Sequence, residues 1–193
     1  MKEKTVKNVS LKLCVTAMFS ALIVGGKQAL AVVPNVEVVT ILVATCAYVW
    51  GLSVVIPAVF TFIAVDACIW GVNTWVISYV IHWNAVALCF WGLSKLPVRS
   101  NLAKTIVAVV FAVAITLCFG VTTSCVDTLI GFTGKGFFWD FSNFATRFCA
   151  VYVAGIAFYA VQIATNAVLF SVAFLPLVLL NQKAKFKMFG ESA

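Results

Sequence analysis

Between residues 13 and 180 the chain falls into six long apolar runs, separated only by short stretches that carry Pro, Gly or charge. No other feature constrains the fold as tightly. A hydrocarbon core of about 30 Å needs about 20 mostly apolar residues per helix. The runs at residues 13–31, 36–50, 54–70, 75–93, 102–126 and 148–180 read as such spans. They are continuous, whereas a membrane β-barrel alternates apolar and polar residues over about ten positions. Composition agrees: 64% of residues are hydrophobic and 10% charged, against roughly 45–50% and 25% in soluble domains. The expectation is an all-α integral membrane protein, a single domain over residues 1–193 built as a bundle of six transmembrane helices. The second and third spans are joined by Gly51, Leu52 and Ser53 alone, which suits a tight helical hairpin. The sixth run is longer than a bilayer needs, so its first part stands above the membrane or the helix tilts.

Orientation follows from the basic residues, which collect on the cytoplasmic side of membrane proteins. With both termini inside, that side holds Lys2, Lys4, Lys7, Lys12, Lys95, Arg99, Lys104, Lys183, Lys185 and Lys187. Only Lys27, Lys135 and Arg147 of the 13 basic residues remain outside, with the acids Glu37, Asp66, Asp127 and Asp140. The net charge of +7 is therefore a topology signal and not the mark of a nucleic-acid partner. Residues 2–31 resemble a signal peptide ending at Ala29-Leu30-Ala31. Lys27 and Gln28 just before that site, and the even number of spans that a cytoplasmic tail requires, favour a retained first helix. The seven cysteines show no C-x-x-C spacing and mostly fall inside spans, where a thiol is a small hydrophobe.

No catalytic signature is present: the sequence lacks H-E-x-x-H, G-x-S-x-G, a P-loop and a dinucleotide loop. His82 is the single histidine and stands among Tyr79, Trp83 and Asn84, which suits a helix-end or pocket residue better than a metal ligand. No enzymatic activity, cofactor or metal is expected. What stands out is a gathering of polar groups at the outer ends of the spans. Lys27, Gln28, Asn35 and Glu37 lie between the first two, Asp66 and Asn73 near the end of the third, His82 and Asn84 at the start of the fourth. Asp127, Asp140 and Arg147 lie between the fifth and sixth. Trp70, Trp75, Tyr79, Trp83, Phe132, Phe137, Phe138, Trp139, Phe141 and Phe144 crowd the same level. An aromatic belt and solvated loops explain many of these. Ionisable groups beside spans are nonetheless functional candidates, and aromatic faces with a few convergent polar groups suit a small-molecule pocket. The helix surfaces add stripes of small residues, Ala17, Ala21 and Gly25 on the first span and Ala150, Ala154, Ala157, Ala160, Ala164 and Ala167 on the sixth. Such stripes permit close helix approach, either inside the bundle or to another membrane protein.

The six spans, the cytoplasmic ends, the A-x-x-x-A stripe at Ala17 and Ala21, and the turn Pro34-Asn35-Val36-Glu37 opening the second span resemble the substrate-binding S components of energy-coupling-factor (ECF) vitamin importers. The resemblance implies a cell-membrane protein that binds a vitamin or cofactor precursor in an outward-facing pocket. It also implies docking, through the Ala17, Ala21 and Gly25 face, on a transmembrane T component that carries two cytoplasmic ATPases, and toppling of the whole S component during transport. The candidate substrate-binding residues are Lys27, Asn35, Glu37, Asp66, Trp70 and Asn73, together with Trp75, His82, Asp127, Trp139, Asp140 and Arg147. Glu37 has two compatible roles. It can cap the second helix, where a carboxylate is stabilised by free N–H groups and the helix dipole, and it can point into the pocket with Lys27 and Asn35. The rival readings are an ion-coupled secondary transporter, which usually shows internal repeats and midplane charge, and a membrane assembly or scaffold subunit without a ligand. Reporters fused after Lys187 are expected to read cytoplasmic and a cysteine placed near Lys135 to label from outside; an externally accessible C-terminus overturns the six-span topology.

Overall fold

Each apolar run becomes a helix, but the helices differ widely in length, and those differences create the site. The computed structural model describes residues 2–33, 36–133 and 136–190. In chain order these form α1 (Lys2–Leu30), α2 (Val39–Trp50), α3 (Leu52–Trp70), α4 (Thr74–Leu93), α5 (Asn101–Leu129), a hairpin of β1 (Ile130–Thr133) and β2 (Gly136–Trp139), and α6 (Phe144–Phe189). Five of the helices are long and apolar enough to cross a membrane, α1 through its segment Val9–Leu30 and α3 to α6 over their whole lengths. The chain is an all-α multi-pass membrane protein in this sense, with two corrections to the sequence expectation.

The first correction concerns α2. It has 12 residues, about 18 Å at 1.5 Å per residue, well short of a hydrocarbon core of about 30 Å. Residues 36–38, expected to be helical, lie outside it. The second is that the link from α5 to α6 is not a plain loop. Ile130, Gly131, Phe132 and Thr133 pair antiparallel with Trp139, Phe138, Phe137 and Gly136, a segment rich in the aromatic and β-branched residues that favour strands. The Asp140 N–H donates to Leu129 O at 2.9 Å and closes the hairpin base.

Short as it is, α2 is the centre of the bundle. It packs against α1, α3, α4 and α6, and ten of its 12 residues are buried, as expected of a helix that is apolar all round. It ends at Gly51, whose φ of +81° lets the chain reverse directly into α3. At that end Lys185 Nζ donates to Val49 O at 2.9 Å and Trp50 Nε1 to Asn181 Oδ1 at 3.0 Å, so the last turn of α2, a helix end rich in free carbonyls, is tied to α6.

The outer helices bury one stripe each. On α1, Val15, Phe19 and Ile23 recur one turn apart and are buried, which leaves Ala17, Ala21 and Gly25 on the opposite, exposed face. A Cβ built on Gly25 meets nothing within 4 Å, whereas one on Gly26 would lie 2.6 Å from Val38 Cγ2. The small-residue stripe of α1 is thus not internal packing. On α6 the buried stripe is Gln162, Asn166, Phe170, Phe174 and Val178, again at one-turn spacing. At 46 residues this helix is about 69 Å long. None of its residues 144–161 is buried, and the Tyr159 ring in this stretch sits over Gly120 of α5.

The packing makes opposite demands at two positions. Phe170 is fully buried, with ring centroids 5.3 Å from Phe90 and 5.4 Å from Phe174. Phe170→Ala is expected to cost about 3–5 kcal/mol and Ala21→Leu to leave the melting temperature in detergent unchanged. Comparable losses from both would place Ala21 in the core.

Candidate functional site

A helix that starts inside a bundle exposes free N–H groups where water cannot satisfy them, and α2 does start inside. Val38, at its N-cap, supplies no side-chain bond. Glu37 supplies it instead: its carboxylate accepts from the Thr40 N–H at 2.9 Å and from the Thr40 hydroxyl. Asn166 Nδ2 of α6 reaches the same carboxylate at 3.3 Å and Thr116 Oγ1 of α5 at 3.0 Å. Thr116 in turn donates to Ala112 O at 2.7 Å. The depth of this knot can be read along α5. Thr116 lies 11 residues before Asp127, about 16 Å, and Asp127 accepts from Thr74 Oγ1 at 2.6 Å, where α4 begins. So α2 begins about three turns below the start of α4.

The space left above α2 is a cavity of about 360 Å³. Val36, Glu37 and Val39 close it from below and Leu30, Ala31 and Val33 from the α1 side, while Trp75, Tyr79 and Trp83 of α4, Phe119 of α5 and Gln162 of α6 complete the wall. Non-helical backbone within a membrane bundle is tolerated where it is packed in protein or lines a cavity, and Ala31, Val33, Val36 and Glu37 do the latter.

Two charges in direct contact form part of the cavity lining. Lys27 of α1 pairs with Asp66 of α3, which also accepts from Gln28 Nε2 at 3.1 Å. Asp66 is only 1% exposed. The Lys27 ammonium lies 4.6 Å from the Tyr79 ring centroid and 5.6 Å from those of Phe62 and Trp75, within the range of cation–π attraction. A carboxylate and three ring faces together replace the water that the ammonium gives up.

The sequence-predicted residues divide accordingly. Lys27, Glu37, Asp66, Trp70 and Trp75 line the cavity, with Trp70 60% exposed at its rim. His82 does not line it. Its ring is packed behind the wall, 4.6 Å from Trp83 and 4.5 Å from Phe119 between centroids. Asn73 caps α4 through the Thr74 N–H at 2.6 Å, and Asp127 is engaged with Thr74. Trp139 stacks on Phe141 at the exposed hairpin. Asp140 pairs with Arg147 at 2.5 Å on the surface. The Ser142 hydroxyl and N–H, and then Arg147, hold the Asp140 carboxyl below its ordinary range. Its folded form therefore favours the ionised state, an advantage present at neutral pH and lost as pH falls through the carboxylate range. Asn35 and Pro34 lie outside the described residues.

Sequence reasoning missed Gln162 and Asn166. They are the only amide side chains in the run 148–180 and stand four residues apart, hence on one helix face, which was the available signal. At the opposite end of the bundle a second cavity, about 440 Å³, includes Lys95, Lys104 and Lys185 in its wall. Among the described residues no group of three His, Cys, Asp or Glu side chains could hold a metal, and the seven cysteines are free thiols.

Fold and site define a class: a multi-pass, all-α membrane protein with an aromatic, charge-bearing cavity above a shortened central helix. No family model, curated protein or solved structure matches the chain.

Breaking one half of a buried ion pair is more damaging than losing both halves. Lys27→Met is expected to destabilise the protein by about 3–5 kcal/mol and Lys27→Met/Asp66→Leu to recover most of that loss, as read from unfolding in detergent micelles. A double variant as unstable as the sum of the single ones would show that the two residues act independently.

Proposed function

We propose that the chain is the substrate-binding S component of an ECF-type importer in the cell membrane, taking a vitamin or cofactor precursor into the cavity from outside. It would be a binding and transport protein and not an enzyme, with both termini in the cytoplasm. The cavity carries this reading: aromatic walls with a few convergent polar groups are what a small organic ligand needs. The cavity sits at the end that bears Glu37, Asp66 and Asp127, opposite the lysine-lined end, and the positive-inside rule makes the lysine end cytoplasmic. The exposed face of Ala17, Ala21 and Gly25 supports docking on a T component, since small residues let a partner helix approach closely. The sequence has no nucleotide-binding loop, which agrees with two ATPase subunits supplying the energy.

One observation favours the ion-coupled alternative. Lys27 and Asp66 form a partly buried titratable pair beside the cavity, and intramembrane pairs of this kind serve as proton relays in other transporters. The energy source separates the two readings. The detergent-purified chain is expected to bind a member of a water-soluble vitamin panel, read as tryptophan quenching. Ala17→Trp and Ala21→Trp should leave that binding intact and abolish ATP-dependent uptake with co-expressed partner subunits. Uptake into liposomes driven by an ion gradient, with neither partner nor ATP, would sink the S-component assignment. Silence across the whole panel would favour a scaffold role.

A further inference from the structure

The basic end of the bundle carries a recess that the substrate reading leaves unused. It measures about 440 Å³ and lies where the last turn of α2, the link between α4 and α5, and α6 come together. Lys95 just past the end of α4, Lys104 near the start of α5 and Lys185 of α6 stand in its wall, and no Asp or Glu joins them among the described residues. The surface facing this space is mostly polar, the reverse of the aromatic cavity at the other end. Lys104 and Lys185 are half-buried. The Lys185 ammonium donates to Val49 O, a neutral carbonyl, and Lys95 Nζ lies 5.6 Å from the Trp91 ring centroid. The Lys104 ammonium has neither a hydrogen bond nor an ion pair among the described residues, whose two ion pairs both lie at the far end. Three positive charges thus share one recess without a counter-charge. Like charges in such a space repel, and each gives up part of its hydration. Lys104 also stands near the positive end of the α5 dipole, where a cation is disfavoured and an anion favoured. The positive-inside rule explains why lysines lie on this side of the membrane, but not why three of them converge from separate elements on one recess.

We propose that this recess binds the phosphate-bearing headgroup of an anionic phospholipid of the inner leaflet. The sign follows from the charges: three cations and no acid favour a ligand of net negative charge, whereas the cation of a zwitterionic headgroup would meet the lysines. Phosphate follows from the donors, because ammonium groups arriving from separate elements need an acceptor with oxygens on several sides, and lysine serves phosphate as a point charge without a fixed plane. The lipid source follows from what borders the lysines. Trp91 and Leu96, which also line the recess, are exposed, as are Leu102 and Phe186, within two residues of Lys104 and Lys185. Lysines bordered by exposed apolar side chains match a molecule with an anionic head and hydrocarbon tails, and a free phosphate uses only the first half of that match. Basic pockets between membrane helices on the cytoplasmic side suit such headgroups. One anion there ties the end of α2, the link between α4 and α5, and α6 together. The inference is independent of the reading of the aromatic cavity and takes from it only the positive-inside orientation.

The test uses the full chain in detergent, stripped of lipid and titrated with phosphatidylglycerol, phosphatidylcholine or inorganic phosphate, with native mass spectrometry and the melting temperature as readouts. Phosphatidylglycerol is expected to bind about tenfold more tightly than phosphatidylcholine and to raise the melting temperature, because a ligand that binds only the folded state stabilises it. Lys104→Gln should weaken phosphatidylglycerol binding by about tenfold, the size of one charge-assisted hydrogen bond, and Lys104→Arg should retain it. In lipid-free detergent Lys104→Gln should melt no lower than wild type, since it relieves repulsion among like charges, a combination that a purely structural role for Lys104 does not give. Lys183→Gln and Lys187→Gln, on the same stretch of α6 but outside the recess wall, should leave the preference unchanged. Should Lys104→Gln fail to fold, Lys95→Gln tests the same recess. Equal binding of the two lipids, or losses from Lys183→Gln and Lys187→Gln as large as that from Lys104→Gln, overturns the inference, the second by showing that net charge and not the recess attracts the lipid. Stabilisation by inorganic phosphate at the lipid's own concentration, abolished by Lys104→Gln, overturns the lipid source and assigns the recess to a free phosphate. No retained lipid of any class overturns the inference outright, and loss of co-purifying partner subunits from Lys104→Gln would then assign the recess to an acidic protein surface.

Discussion

A carboxylate at the buried start of α2 sets the geometry of everything around it. Helix N-termini carry free N–H groups and partial positive charge, and in a membrane bundle neither can be left to water. Glu37 resolves this through the Thr40 N–H and hydroxyl, and Asn166 and Thr116 tie the knot to α6 and α5. Because the cap lies about 16 Å below the start of α4, the helix it caps is short, and the volume above it is vacated. The cavity is a consequence of where that one helix begins. Capping and cavity lining are the same role for Glu37, since the carboxylate that satisfies α2 also forms part of the floor.

Gln162, Trp83 and Phe119 supply uncharged parts of the cavity wall, and Lys27 with Asp66 beside the Tyr79 ring supplies a paired charge. Lys27 and Asp66 arrive as a pair whose mutual attraction holds α1 against α3, while Glu37 is satisfied by the neutral donors of Thr40 and Asn166. The Lys27–Asp66 contact therefore has a stake in both the S-component and the ion-coupled readings, and its presence alone does not choose between them.

Much of the architecture was legible in the sequence. The apolar runs located all six helices because hydrophobic length is a strong signal, and Gly51 marked the reversal between α2 and α3. The run 36–50 misled because hydropathy cannot say where a helix begins, only that its residues avoid water; Val36, Glu37 and Val38 are partly buried without being helical. The β-hairpin is not legible in the sequence, because four-residue strands carry too little periodicity to detect. In the site, charge and tryptophan were visible, so Lys27, Glu37, Asp66, Trp70 and Trp75 were found. Gln162 and Asn166 were passed over because an amide inside a long apolar run carries no charge to flag it. His82, Asn73, Asp127, Trp139, Asp140 and Arg147 share the outer level of the sequence but not the cavity wall, since proximity along the chain ends does not say which way a side chain faces.

Gly25 and Gly26 look interchangeable on the page and are not. A methyl group added at Gly25 would enter open space, while one at Gly26 would press on Val38, the residue that delivers the chain into α2. The doublet therefore imposes two unlike constraints on sequence drift. The first position is free to vary as far as the protein's own fold is concerned, so any restriction found there would have to come from something outside the chain. The second is fixed from within, because the space beside Gly26 is what allows the approach to the buried helix start to pass so close to α1.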